Sequence, residues 1–260
     1  MEDSSKEAMI SVRDLKMAFG SFVVMKDLNF DVQKKDIFVI MGGSGCGKST
    51  LLRHMIGLKE PAKGAVFYEG ENFTEAEAEE RRKYIKRFGV MYQSGALWSS
   101  MTLAENITMP IEENTDLSAK EIRDLAYYKL ALVGLSGYED YYPAQVSGGM
   151  NKRAGIARAM ALDPEILFLD EPGAGLDPLS SQRLDELILR LRDSLGSTFV
   201  IVTHELASIF AIANNSIFLD TATRTQGATG DPKELRDQTE NETVRLFLNR
   251  GEIDETKDQS

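Results

Sequence analysis

Along this chain the apolar positions switch between two rhythms. Residues 10–12, 22–24 and 28–32 are short β-prone runs, and they predict a small antiparallel sheet near the start. Residues 37–41, IFVIM, are apolar without a break, as a buried strand must be. LLRHMIGL, after residue 50, reads as the start of a helix. Thr74 and Glu77 form a capping-box pair ahead of EERRKYIKR, which predicts a charged helix over 75–87 with its charges on a solvated face. Residues 88–92 read as a strand ending at Gln93. Ser118 and Glu121 form a second capping-box pair. Ile122, Leu125, Ala126, Leu130 and Val133 follow at helical spacing, and Gly134 is the stop. Residues 166–169 read as a buried strand. Asp177 and Pro178 suit the N-cap and first turn of a helix that carries Leu184, Leu187, Ile188 and Leu191 and stops at Gly196. Residues 198–203 are another strand. Strands alternating with helices predict an α/β fold with a largely parallel sheet and helices on both faces. Residues from about 95 to 163 break the alternation, and they are expected to form an inserted helical lobe.

Composition adds bounds more than direction. A chain of 260 residues, 42% hydrophobic and 27% charged, is ordinary for a globular protein and long enough for one large α/β domain or two small lobes. The net charge of −11 argues against a surface built for nucleic-acid phosphates. No apolar run approaches the roughly 20 residues that span a bilayer. The start, MEDSSKEAM, is polar and lacks the apolar core of a signal peptide. Cys46 is the only cysteine, so neither an internal disulfide nor a thiol metal site is expected. These features predict a soluble cytoplasmic protein. The tail after Gly251, EIDETKDQS, is predicted to be disordered.

The chemistry begins at VIMGGSGCGKST. Gly42, four residues, then Gly47, Lys48 and Ser49 make a P-loop, in the strand–loop–helix context that the motif requires. Glycines let backbone N–H groups turn inward on phosphate oxygens, and the helix N-terminus adds partial positive charge. The candidate nucleotide contacts are Gly42, Gly43, Ser44, Gly45, Cys46, Gly47, Lys48, Ser49 and Thr50. Lys48 suits the β- and γ-phosphates, and the Ser49 hydroxyl suits Mg²⁺. A dinucleotide fingerprint is excluded, because the glycine needed after Gly43 and Gly45 is Lys48. ATP and Mg²⁺ are therefore the expected cofactors of a P-loop NTPase, RecA-like core.

Three further segments say what the loop is for. ILFLDEP places Asp170 and Glu171 at the carboxyl end of a buried strand, where open α/β sheets hold their ligands. Asp170 suits Mg²⁺, and Glu171 suits a general base acting on water. Gln93 ends a strand and precedes the helical lobe, within reach of Mg²⁺ and the water in such a site. His204 ends FVIVTH and suits a hydrogen bond to the γ-phosphate; His54 reads as structural. VSGGM places Ser147, Gly148 and Gly149 just before a helix, a second anion site of the helix-start kind. One ATP needs only one such site. A head-to-tail pair of copies, with each nucleotide between one P-loop and the other copy's SGG turn, uses both.

GGSGCGKST, Gln93, VSGGM, ILFLDEP, GAGLDP and VTHE, in that order, resemble the nucleotide-binding subunit of an ABC transporter over roughly residues 8–235. The resemblance implies an ATP-binding domain over 8–240, with a helical subdomain at about 95–163 and a C-terminal segment over 241–260. It implies that Phe19 stacks on adenine, that Asp177 couples the two nucleotide sites, and that residues 93–110, which include Trp98, meet a membrane permease. YQSGALWSSMTLAENITMP and SGGMNKRAGIARAMALDPEILFLDEPGAGLDP are similar to the ATPases of MCE-type (Mla-type) lipid transport systems, which carry phospholipid between Gram-negative envelope membranes. That likeness implies an MCE-domain protein and a small STAS-type accessory subunit as further partners, no nucleic acid, and a peripheral place on the cytoplasmic face of the inner membrane. ETVRLFLNRGE resembles a C-terminal segment that reaches across to the partner copy; a short amphipathic helix packed on its own domain is the alternative. There are departures from the pattern. Met150 replaces the usual signature Gln and cannot donate a hydrogen bond, and KKD at 34–36 lacks a usual turn glycine. An ABC engine for another cargo is the second reading. A soluble ABC protein acting on ribosomes or DNA is disfavoured by the single cassette, the acidic charge and the lack of heptads.

Overall fold

The computed structural model describes residues 8–93 and 95–250. In chain order its elements are β1 (Ile10–Phe19), β2 (Phe22–Val32), β3 (Ile37–Gly42), α1 (Lys48–Met55), β4 (Lys63–Tyr68), β5 (Glu71–Asn72), α2 (Ala78–Ile85), β6 (Phe88–Met91), α3 (Leu103–Asn114), α4 (Ala119–Leu132), α5 (Gly148–Ala159), β7 (Ile166–Asp170), α6 (Pro178–Leu195), β8 (Thr198–Val202), α7 (Leu206–Ile212), β9 (Asn215–Asp220), β10 (Thr225–Thr229), α8 (Pro232–Gln238) and α9 (Glu242–Leu248). They form two compact units, residues 8–84 with 200–250, and residues 85–199.

The first unit contains the antiparallel sheet, in the order β2-β1-β4-β5. It is larger than the sequence pattern predicts. Residues 22–24 and 28–32 belong to one strand, β2, whose ladder with β1 shifts register repeatedly. Asp14 and Asp27 take left-handed φ values of 47° and 54° in that ladder, so the apolar alternation breaks without ending the strand. β4 and β5 join after α1. Beside this sheet, β3 is buried at every position, pairs in parallel with β9, and β9 carries the antiparallel β10. The Thr203 amide donates to the Ile40 carbonyl, which sets the end of β8 against β3. The helix expected over 75–87 is shorter, and its capping box does not form. The Thr74 hydroxyl instead accepts from the Val66 amide at 2.9 Å, and the helix begins at Ala78. At the far end α9 buries Val244, Phe247 and Leu248, with the Phe247 ring 5.2 Å from that of Phe218. Residues 242–248 therefore pack on their own unit. The tail after Gly251 lies outside the described residues.

In the second unit β6 and β7 pair in parallel, and the Thr198 amide donates to the Glu165 carbonyl just before β7. The Ser118–Glu121 box caps α4 in both directions, and an unanticipated Thr102–Glu105 box caps α3. Asp177 caps α6 through the Ser180 amide at 3.0 Å, and Gly196 ends it at φ 69°. α6 buries Leu184, Leu187, Ile188 and Leu191, as the helical spacing requires. Between β6 and α5 the approach is very close. A Cβ on Gly89 would lie 2.1 Å from the Ala159 carbonyl oxygen, which is backbone and cannot yield. Gly89→Ala is therefore expected to lower unfolding free energy by about 1–3 kcal/mol, as overpacking does. Denaturant titration of the purified chain checks this; an unchanged midpoint would show that β6 and α5 separate at no cost.

Candidate nucleotide-binding site

The P-loop lies in the first unit, between β3 and α1. Gly42 adopts φ 145°, and a Cβ there would come 2.7 Å from the Leu219 carbonyl oxygen, so only glycine fits. Gly47 adopts φ 101° and sits against Val24 of β2. It starts α1 with no side-chain cap. Most helices here differ: α3, α4, α5 and α6 each begin under a Thr, Ser or Asp side chain. An uncapped start leaves N–H groups that need an outside acceptor. Lys48 Nζ donates to the carbonyls of Gly42 and Gly43 at 3.0 Å each, which curls the ammonium over the loop. Ser44 and Gly45 are exposed, and Ser49 and Thr50 are half-buried. Cys46 is buried. Burial pushes its thiol up from the usual range against the opposing pull of Lys48. Burial holds the His54 imidazole below its ordinary value, and Nδ1 lies 2.8 Å from the Thr50 carbonyl, a structural contact as expected. Phe19, at the tip of the β1–β2 hairpin, is 49% exposed with Lys59 Nζ 4.1 Å above its ring centre. His204 lies two residues beyond β8 and is exposed, within a turn in which Thr203 Oγ1 accepts from the Glu205 amide.

The second unit holds the remaining candidates. Asp170 ends β7 and is buried, as is Glu171 just after it. Glu171 takes φ 50°, a left-handed conformation that a residue with a Cβ adopts only under constraint. Gln93 is exposed, two residues past β6. Ser147 caps α5, its hydroxyl accepting from the Met150 amide at 3.3 Å. Gly148 and Gly149 open that helix. A Cβ on either would meet nothing closer than 3.8 Å, so the chain's own packing does not require glycine at these positions. Asp177 is exposed, and the Ser180 hydroxyl and amide hold its carboxyl below the usual range.

One chain thus carries two glycine-led helix starts, a lysine curled over the first, and a strand ending in paired acids. A family model described as ABC transporter matches residues 25–174. The chain belongs to the ABC transporter family. It is an ABC-type ATPase that binds ATP and couples hydrolysis to transport. It is 38% identical over 256 residues to a probable ribonucleotide transport ATP-binding protein, Mkl of Mycobacterium leprae, covering 96% of this chain and 73% of that one. It spans 66% of the length of the like-named protein of Mycobacterium bovis. It is also 38% identical over 206 residues to the intermembrane phospholipid transport system ATP-binding protein MlaF of Haemophilus influenzae, covering 79% of this chain and 78% of that one. Among solved structures, a dimeric post-hydrolysis ATP-binding cassette, MJ0796 bound to ADP and Pi, superposes with TM-score 0.76 at 26% identity, covering 86% of this chain and 98% of that one. CbiO1 of Clostridium perfringens, part of an ABC transporter complex, superposes with TM-score 0.82 at 25% identity, covering 97% and 99%.

The side-chain oxygens of Ser49 in the first unit, and of Gln93 and Asp170 in the second, are each of the hard kind that Mg²⁺ prefers. The described residues contain no cluster of three or more His, Cys, Asp or Glu side chains able to hold a metal. No helix among the described residues is long and apolar enough to cross a membrane. The sequence reading passed over Lys152, on α5, whose Nζ donates to the backbone carbonyls of Gln93 and Glu171. In NKR it resembles a surface cation, and no periodicity marks it as buried. The unneeded glycines of α5 yield a direct test. Gly149→Ala is expected to leave the thermal midpoint unchanged or slightly raised, because Ala favours helix. It should lower ATP turnover by roughly tenfold to a hundredfold, as a displaced reacting group does. Normal turnover in a folded Gly149→Ala chain would show that no ligand approaches this turn.

Proposed function

We propose that the chain is the ATP-hydrolysing subunit of a transporter that carries phospholipid between the membranes of a Gram-negative envelope. It works as a head-to-tail pair of copies on the cytoplasmic face of the inner membrane. In this reading residues 8–240 are the cassette, with a helical part at about 95–163 and a C-terminal segment from 241. Lys48 and the amides of the P-loop hold the phosphates, and Phe19 stacks on adenine. Bound Mg²⁺, held by Ser49, Gln93 and Asp170, supplies neutralising charge. Glu171 takes the proton of the attacking water, and His204 bonds the γ-phosphate. Ser147, Gly148 and Gly149 of the second copy close the site from the other side, and Asp177 links the two sites.

The observation that carries the paired arrangement is at α5, where an exposed helix start keeps two glycines that the chain's own packing does not need. The lipid cargo is supported by the MlaF relatives, at 35–38% identity over most of the chain. A permease docked on the stretch from Gln93 to Pro110, an MCE-domain protein and a STAS-type subunit complete the assembly; nucleic acid has no part in it. Trp98 stands 56% exposed in that stretch, a large apolar surface suited to such a contact. The Mkl relatives, named for ribonucleotide transport, favour the second reading, a cassette serving a small solute. Deleting the gene separates the two. Phospholipid transport predicts a weakened outer-membrane barrier, measured as sensitivity to detergent and restored by the wild-type chain. An intact barrier with loss of uptake of a labelled nucleotide or other solute would overturn the lipid reading.

A further inference from the structure

We propose that Lys152 is a positioning residue for hydrolysis, tying the backbone at Gln93 to the backbone at Glu171 so that the loop after β6 and the hydrolytic carboxylate respond together. The proposal rests on the reading of Glu171 as the base. A lysine ammonium is costly to bury unless hydrogen bonds replace its water. Lys152 is only 8% exposed, and its Nζ donates to the Gln93 carbonyl and, at 3.3 Å, to the Glu171 carbonyl. These bonds join the α5 helix, the end of β6 and the end of β7 through one atom.

Both ends of the tie hold unusual backbone. Glu171 sits at φ 50°, and its carbonyl also accepts from the Ala174 amide at 3.2 Å. Two donors on one carbonyl hold this peptide in a conformation that the residue would otherwise leave. The Glu171 side chain projects from that same residue, so turning its peptide re-aims the carboxylate. On the loop side, Gly95 and Ala96 take φ 75° and 49°. Arg158 donates to the Gly95 carbonyl at 3.1 Å and to the Ala96 carbonyl at 2.7 Å. Gly155 lies between the two cations, and a Cβ there would meet Gly95 Cα at 3.0 Å, so the loop lies directly on the helix. Lys152, Gly155 and Arg158 recur every third residue and line one face of α5. That face meets the loop at Lys152, Gly155 and Arg158, and reaches Glu171 through Lys152.

A displacement of the Gln93 loop therefore has a direct mechanical route to the Glu171 peptide. Trp98, the only tryptophan, reports on the loop. Its amide donates to Asn106 Oδ1 at 2.7 Å, which anchors it to α3. The test compares Lys152→Met, of similar length without donors, with Lys152→Arg, which keeps the charge, using Glu171→Gln as a control. Turnover, KM, affinity for a fluorescent ATP analogue and Trp98 emission with and without ATP are measured on the purified chain.

Lys152→Met is expected to lower kcat about tenfold to a hundredfold, in the range of losing an aligned general base, with KM and analogue affinity within about twofold. It should lose the nucleotide-dependent change in Trp98 emission, and Lys152→Arg should restore most of both. If Lys152→Met does not fold, Lys152→Gln takes its place in the comparison. Wild-type kcat in Lys152→Met, equal impairment in Lys152→Arg, nucleotide affinity falling in step with kcat, or no Trp98 response in the wild-type chain would each overturn the proposal. Full turnover in Glu171→Gln overturns the base assignment itself. An inactive Glu171→Gln beside a fully active Lys152→Met leaves that assignment standing and removes only the tie.

Discussion

The first N–H groups of a helix have no partner within it, and something outside must accept them. This fold answers that constraint in two ways. α3, α4 and α6 are closed by Thr102, Ser118 and Asp177. α1 is left without a side-chain cap behind a left-handed Gly47. α5 has a Ser147 cap that takes only the Met150 amide, and two glycines stand at its mouth. The closed starts hold structure. The glycine-led starts of α1 and α5 are the ones proposed to meet nucleotide phosphate, and at α1 the sheet must hold the loop backbone still. β3 meets that need by being buried at every position, with Gly42 locked against Leu219 of β9.

What the sequence made legible follows from the same physics. The P-loop could be read because its backbone angles admit few residues besides glycine, so the residue types report the conformation. β7 and α6 could be read because a buried strand and a capped amphipathic helix each leave a periodic signature. The antiparallel sheet was only half legible. Bulges at Asp14 and Asp27 break the alternation that marks a strand. Thr74 looked like a cap because its spacing to Glu77 is right, but β4 takes its hydroxyl through the Val66 amide. The short elements beyond His204 carry little period of their own. Lys152 was invisible for another reason, because a buried cation bonded to backbone carbonyls leaves no mark on its sequence neighbours.

The functional groups divide between the units. Residues 8–84 with 200–250 carry the phosphate loop, the aromatic Phe19 and His204, whereas residues 85–199 carry the acids of β7, Gln93 and the second helix start. In the second unit the loop after β6 and the end of β7 share one support. The strained peptide of Glu171 and the left-handed loop at Gly95 and Ala96 are both held by α5, the helix that Ser147, Gly148 and Gly149 begin. The start of α5 therefore belongs to the same helix that holds the Glu171 peptide through Lys152.

The paired reading of the two helix starts is tested most directly by mixing two defective chains. Ser147→Arg fills the approach to α5 but leaves its own P-loop intact, and Lys48→Ala does the reverse. In a head-to-tail pair made of one chain of each kind both defects fall in the same composite site and the other site is intact, so heterodimers should regain about one working site each, while either chain alone stays inactive. ATP turnover measured across mixing ratios should rise to a maximum near equal amounts. If heterodimers form and no mixture regains activity, each copy hydrolyses ATP within itself and the second helix start has another use.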